Sequence, residues 1–121
     1  MKLLSHILLA AVLSLAAGTA VAVELTPHQA EYKVRISVVS GQLNTELRAE
    51  ETSYVATHVV KPTGMSRVIT RGRMQVSSEF TTAADDVRPV TYHAIDTIRD
   101  DPEAHITFDW DTNQARGTVG E

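Results

Sequence analysis

Ala30-Glu31-Tyr32-Lys33-Val34-Arg35-Ile36-Ser37-Val38 decides the fold. Its even positions are apolar, and its odd positions are polar or charged. Successive side chains of a β-strand point to opposite faces, so a period of two makes one dry face and one wet one. A helix would scatter the same residues around its whole circumference. The stretch therefore reads as a strand that lies with one side on something apolar.

The same rhythm continues toward the C-terminus. Ser40-Gly41 reads as a turn, after which Leu43, Thr45, Leu47 and Ala49 alternate with Asn44, Glu46, Arg48 and Glu50. That is a second strand, hairpinned to the first. A third covers 54–61 and stops at Pro62, which has no N–H to offer a ladder. Met65, Val68 and Ile69 then fall at helical spacing and predict a short helix over 64–71, with Gly72 as its C-cap. A helix of one or two turns needs a surface to dock on, and the sheet would supply it. Alternation returns in Met74, Val76, Ser78 and Phe80. After a turn at 83–86 it resumes in Val90, Tyr92, Ala94 and Ile98. After a second turn at 100–103 it continues from His105 to Trp110. A turn at 111–113 leads to Ala115, Gly117 and Val119. The expectation is an all-β domain: a curved, antiparallel, up-and-down sheet of about seven strands, half-barrel-like, with one short helix.

Toward the N-terminus the character changes. Lys2 precedes an apolar run from Leu3 to Ala17, then Gly18-Thr19, and Ala20-Val21-Ala22 forms a small-x-small site. This is the layout of a cleavable secretory leader over 1–22, with the mature chain beginning at Val23. A membrane-spanning helix needs about 20 apolar residues. The stretch is nearly that long, so the Ala-Val-Ala site and the abrupt polarity of Glu24 favour cleavage. No cysteine stands at the cleavage point for a lipid anchor, and no arginine pair marks twin-arginine export. The expected location is the bacterial periplasm, with secretion as the alternative and no stable membrane span after cleavage. Residues 23–121 make a single β-rich domain.

Charge narrows the partners. The chain holds 11 Lys+Arg and 15 Asp+Glu; Lys2 is the one charge of the leader, so 23–121 carries a formal charge of −5. Nucleic-acid binding needs a basic face, which this balance argues against, and the same balance weighs a little against an anionic membrane surface. The absence of cysteine excludes thiol catalysis, disulfides and cysteine-ligated zinc.

Several segments together resemble a known family. They are the Ala-Glu-Tyr-Lys-Val strand behind a leader, Pro-Thr-Gly-Met-Ser-Arg-Val-Ile at 62–69, the strand at 74–80, and Arg-Pro-Val-Thr-Tyr at 88–92. Ile-Thr-Phe-Asp-Trp at 106–110 then runs into Ala-Arg-Gly-Thr at 115–118. In these the chain is similar, over essentially all of 28–120, to the exported proteobacterial proteins grouped as the domain of unknown function 3108 family. The resemblance implies a β-rich envelope protein and carries no catalytic residues with it. Members of that family are longer, so it also implies that this chain is an N-terminal portion, truncated at the C-terminus.

The chemical motifs are sparse. Asp109-x-Asp111-x-Asn113 has the start of a calcium loop, but Gln114 and Gly120 stand where that loop needs Gly and Glu. A plain turn explains it better. His93 and His105 fall on the wet faces of adjacent strands and can meet across a hairpin, where a solvated pair is the simpler account than a metal site. No serine sits in a nucleophile elbow, and the acidic pairs at 85–86 and 100–103 lie in turns. Arg67, Arg71 and Arg73, with Lys61, gather around the helix as a basic patch, either a solvated helix face or a site for an anionic partner or lipid headgroup. Tyr32, Tyr54, Tyr92, Phe108 and Trp110 fall in with the apolar sets and form the candidate ligand face. The expected function is a non-enzymatic binding module for an apolar or lipid-like ligand or an envelope partner, without a cofactor. The alternatives are a structural or assembly factor of the envelope with a filled core and, third, a metal- or carboxylate-dependent enzyme.

Overall fold

The computed structural model describes residues 23–83 and 86–120. The leader expected at 1–22 and the centre of the turn at 83–86 lie outside the described residues.

Seven strands follow one another: β1 (His28–Ile36), β2 (Val39–Ala49), β3 (Tyr54–Pro62), β4 (Met74–Ala83), β5 (Asp86–Asp96), β6 (Asp101–Asp109) and β7 (Gln114–Val119). One helical turn, α1 (Ser66–Ile69), interrupts them between β3 and β4. Each strand pairs antiparallel with its neighbours in the chain, in the order β1 to β7. Short links leave each strand no choice but to fold back on the last one, which is why sequence order becomes sheet order.

Register turns alternation into a face. Tyr32 stands opposite Leu43, Leu43 opposite Val60, and Val60 opposite Met74. Tyr54 stands opposite Phe80, Tyr92 opposite Ile106, and Phe108 opposite Ala115. Directly opposed residues share a side of the sheet, so the apolar sets of all seven strands lie together. The other side carries Glu31, Asn44, Thr57, Ser77, His93 and His105.

The sheet is open and uncurled, with β1 and β7 as its two edges. The half-barrel curvature anticipated from the sequence is not adopted. Bending and closing a sheet need bulges and stagger, and the ladders are interrupted at only two places, both involving β5. One lies at Glu79/Phe80, where Val90 is the extra residue, and one at Ala94/Asp96. Among the described residues nothing covers the apolar face, whose side chains are mostly half-buried, and no hydrophobic residue is fully buried.

Three local expectations also shift. The first hairpin turns at Ser37 and Val38, not at Ser40-Gly41, and Ile36 pairs directly with Val39. Ser37 supplies the positive φ, 56°, that a two-residue hairpin needs. Gly41 lies within β2, where a Cβ would come 3.0 Å from the Lys61 carbonyl oxygen. The turn expected at 100–103 falls earlier, at 97–100: β5 ends at Asp96, and Pro102 lies inside β6. Neither Pro102 nor Glu103 has a β5 partner, so the missing proline N–H costs no ladder bond there. Finally, α1 ends at Thr70 in extended conformation, so Gly72 is not its cap. Gly72 instead holds φ 105° where a Cβ would meet Thr97 Oγ1 at 2.6 Å.

Candidate functional site

The five candidate aromatics divide. Tyr32, Tyr54, Tyr92 and Phe108 all stand on the apolar face by register. Tyr54 stacks on Phe80, centroids 5.7 Å apart and planes 20° from parallel. Phe80, not among the five, is thus the partner that completes this patch; its place in the 74–80 alternation was the available signal. Trp110 lies beyond the end of β6. Its Nε1 donates to the Pro89 carbonyl at 2.7 Å, and the Arg88 guanidinium sits 5.5 Å from its ring centroid. That geometry ties the β6–β7 corner to β5 and occupies the indole's one donor.

The segment at 23–27 approaches the same face from one end. Leu25 N–H donates to the Tyr54 hydroxyl at 3.1 Å, and Thr82 Oγ1 donates to the Val23 carbonyl at 2.7 Å. These bonds place it beside the Tyr54–Phe80 stack and leave the centre of the face, around Val60, Val76, Ala94 and Ile106, uncovered.

At the opposite end of the sheet the chain crosses through α1. The turn is held by polar bonds, not by the apolar docking its spacing suggested. Ser40 N–H donates to Ser66 Oγ at 2.7 Å, and Thr63 N–H to the Ser40 carbonyl at 3.0 Å. Ser66 is buried, whereas Met65, Val68 and Ile69 are largely exposed. On one side of this crossover, Val34, Ile36, Val39, Val60 and Ile98 line an apolar hollow of about 170 Å³. On the other, Lys61, Arg67, Arg71 and Arg73 line an open hollow of about 660 Å³ together with Gln42 and Thr97. The basic patch expected from the sequence is thus gathered on one hollow.

The remaining motifs resolve locally. Asp109 Oδ1 accepts from the amides of Asp111 and Thr112 at 3.0 and 3.2 Å. Bonding to Thr112 holds its carboxyl below the usual range. The carboxylate is engaged in the turn. His93 and His105 do face each other across β5 and β6, edge to face at 5.7 Å, and His93 Nε2 bonds the Glu103 carboxylate. Among the described residues no group of three or more metal-ligating side chains is arranged to hold a metal ion. No helix among them is long and apolar enough to cross a membrane. No family model, curated protein or solved structure matches the chain.

Proposed function

We propose that the protein is an exported, non-enzymatic binding module of the bacterial envelope, whose apolar sheet face takes an apolar, lipid-like ligand. One observation carries this reading: among the described residues, a face running from Tyr32 through Leu43, Val60 and Val76 to Ile106 and Phe108 has no covering layer and no buried hydrophobic residue. Exposed apolar surface of this extent marks a binding surface. A lipid-like chain meets it with apolar atoms alone and leaves no polar group unpaired. The basic hollow at the α1 end adds a place for an anionic head, since Lys61, Pro62 and Thr70 line both the basic and the apolar hollows. The leader at 1–22 and the resemblance to an exported family support the periplasm as the location.

The test is mass spectrometry of the protein purified under native conditions, followed by titration of the delipidated protein with a fluorescent fatty-acyl probe. Copurified lipid and probe binding are expected, and both should drop about tenfold or more when Tyr92 or Ile106 becomes Glu, each placing a charge on the apolar face. A protein that carries no lipid and ignores the probe refutes the reading.

A second reading, an envelope partner bound by strand addition, is favoured by β7. All six of its residues are exposed, and among the described residues no strand lies on its outer side. Such an edge is a template for another chain's backbone.

A further inference from the structure

The α1 end of the sheet has a surface unlike the rest. Two tips meet there. The β1–β2 turn exposes Ile36 (79%) and Val38 (75%), and the crossover exposes Met65 (80%), Val68 (69%) and Ile69 (69%). The Ser40–Ser66 bond ties the tips together, and Ile36, Thr70 and Ile98 line one hollow between them. Five large aliphatic side chains in water on two adjoining loops form a concentrated apolar patch.

Cations surround it. Lys61, Arg67, Arg71 and Arg73 line the larger hollow, and no carboxylate lines it. Among the described residues none of the four has an ion-pair partner. The neighbouring carboxylates Asp96 and Asp101 are both engaged by Arg99, at 2.7 and 3.2 Å, which leaves Asp100 as the unpaired acid of that turn. An acidic protein therefore presents one locally positive end.

We propose that this end docks on an anionic lipid leaflet. Met65, Val68, Ile69, Ile36 and Val38 enter the boundary between headgroups and acyl chains, while Lys61, Arg67, Arg71 and Arg73 meet the lipid phosphates. An apolar tip with a basic collar is the composition of interfacial membrane segments. Guanidinium forks match phosphate oxygens, and each cation near a negative leaflet adds to the attraction. A protein partner would need carboxylates placed to match each of the four cations, whereas a leaflet offers phosphates across its whole surface. The overall negative charge opposes approach to the leaflet but orients the protein, turning its acidic remainder away and its basic end toward the phosphates. This docking shares the basic hollow with the head of the proposed ligand but does not use the sheet face, so probe binding that depends on Tyr92 and Ile106 tests the ligand and vesicle binding tests the docking.

Vesicle sedimentation tests it, with vesicles of phosphatidylcholine alone and of phosphatidylcholine mixed with phosphatidylglycerol. Any retained leader contributes equally to every variant, so the comparison is between variants of the full chain. Wild type is expected to favour the anionic vesicles and to release them as salt rises. The combined variant Arg67→Gln, Arg71→Gln, Arg73→Gln should weaken binding about a hundredfold. Met65→Ser, Val68→Ser, Ile69→Ser together should weaken it by at least about tenfold. In Val68→Trp the new indole should be quenched by acyl-brominated lipid, while Trp110, at the far end of β6, should not. All these side chains are exposed, and unchanged circular dichroism would confirm that the variants fold. Equal binding to both vesicle types, or vesicle binding indifferent to both combined variants, overturns the proposal. So does tight binding of inorganic phosphate without vesicle binding, which would make the hollow a site for soluble anions.

Discussion

The backbone N–H of Ser40, at the start of β2, donates to the side-chain oxygen of Ser66 in α1 at 2.7 Å, and Ser66 is among the most buried residues of the described chain, at 4% exposure. A helix of four residues has almost no stability of its own. This bond, with those from Thr63 to Ser40 and between Arg73 and Thr97, therefore holds the 63–73 link in place. Ser66→Ala leaves the Ser40 N–H inside without its acceptor, at a cost of about 1–3 kcal/mol. A lower urea midpoint, with protease cleavage rising first within 63–73, is the expected result; a midpoint equal to wild type would remove the bond from any anchoring role.

Asp96 holds the β5–β6 turn in the same way. Its carboxylate accepts from the Ile98 and Arg99 amides at 3.0 and 3.1 Å and from Arg99 Nε at 2.7 Å. The Arg99 guanidinium, with these amides, holds its carboxyl below the usual range. A depressed carboxyl stabilises the fold fully above the ordinary carboxylate pKa of about 3.9 and loses that contribution as pH falls from there through its own lowered value. Asp96→Asn should lower stability at neutral pH and flatten the acid limb of the stability curve below about pH 4. Parallel acid limbs in the two proteins would count against this.

Gly72 admits no side chain. Its φ is 105°, and a Cβ would lie 2.7 Å from the Thr97 carbonyl oxygen and 2.9 Å from its carbon, both backbone atoms. Gly72→Ala must therefore push the crossover away from the β5–β6 turn, at a cost of about 1–3 kcal/mol. Thermal melting should show the loss, and hydrogen exchange should quicken at the Arg73 and Thr97 amides, which bond across this contact. Wild-type stability in the alanine variant would contradict so close an approach.

Ser37 offers the opposite case. It holds φ 56° in an exposed two-residue turn and donates nothing from its side chain to a described partner. A left-handed conformation costs a residue with a Cβ about 1–2 kcal/mol, so Ser37→Gly should raise stability by up to about 1 kcal/mol once glycine's greater chain entropy is subtracted. A denaturation midpoint that falls would show the turn geometry to be otherwise.

Alternation made most of the sheet legible. Leu43, Thr45, Leu47 and Ala49 share a side with Tyr54, Ala56, His58 and Val60 because a period of two is local and survives any tertiary arrangement. The same logic placed His93 opposite His105. Turns were read less well, since Gly41 looks like punctuation in sequence but serves a close approach of Lys61 within a strand. The β3–β4 link is hard to read from sequence for a related reason. Met65, Val68 and Ile69 have the spacing of a docked helix, yet the buried contact belongs to Ser66.

The sequence by itself determined the strands, their order and which residues share each face, because these follow from side-chain alternation and from links too short to cross the sheet. Only the tertiary structure decided that the apolar face is left open, that Trp110 bonds back to Pro89, and that Lys61, Arg67, Arg71 and Arg73 converge on one hollow beside exposed aliphatic tips. These depend on sheet curvature and on contacts between residues distant in the chain, and periodicity carries no information about either.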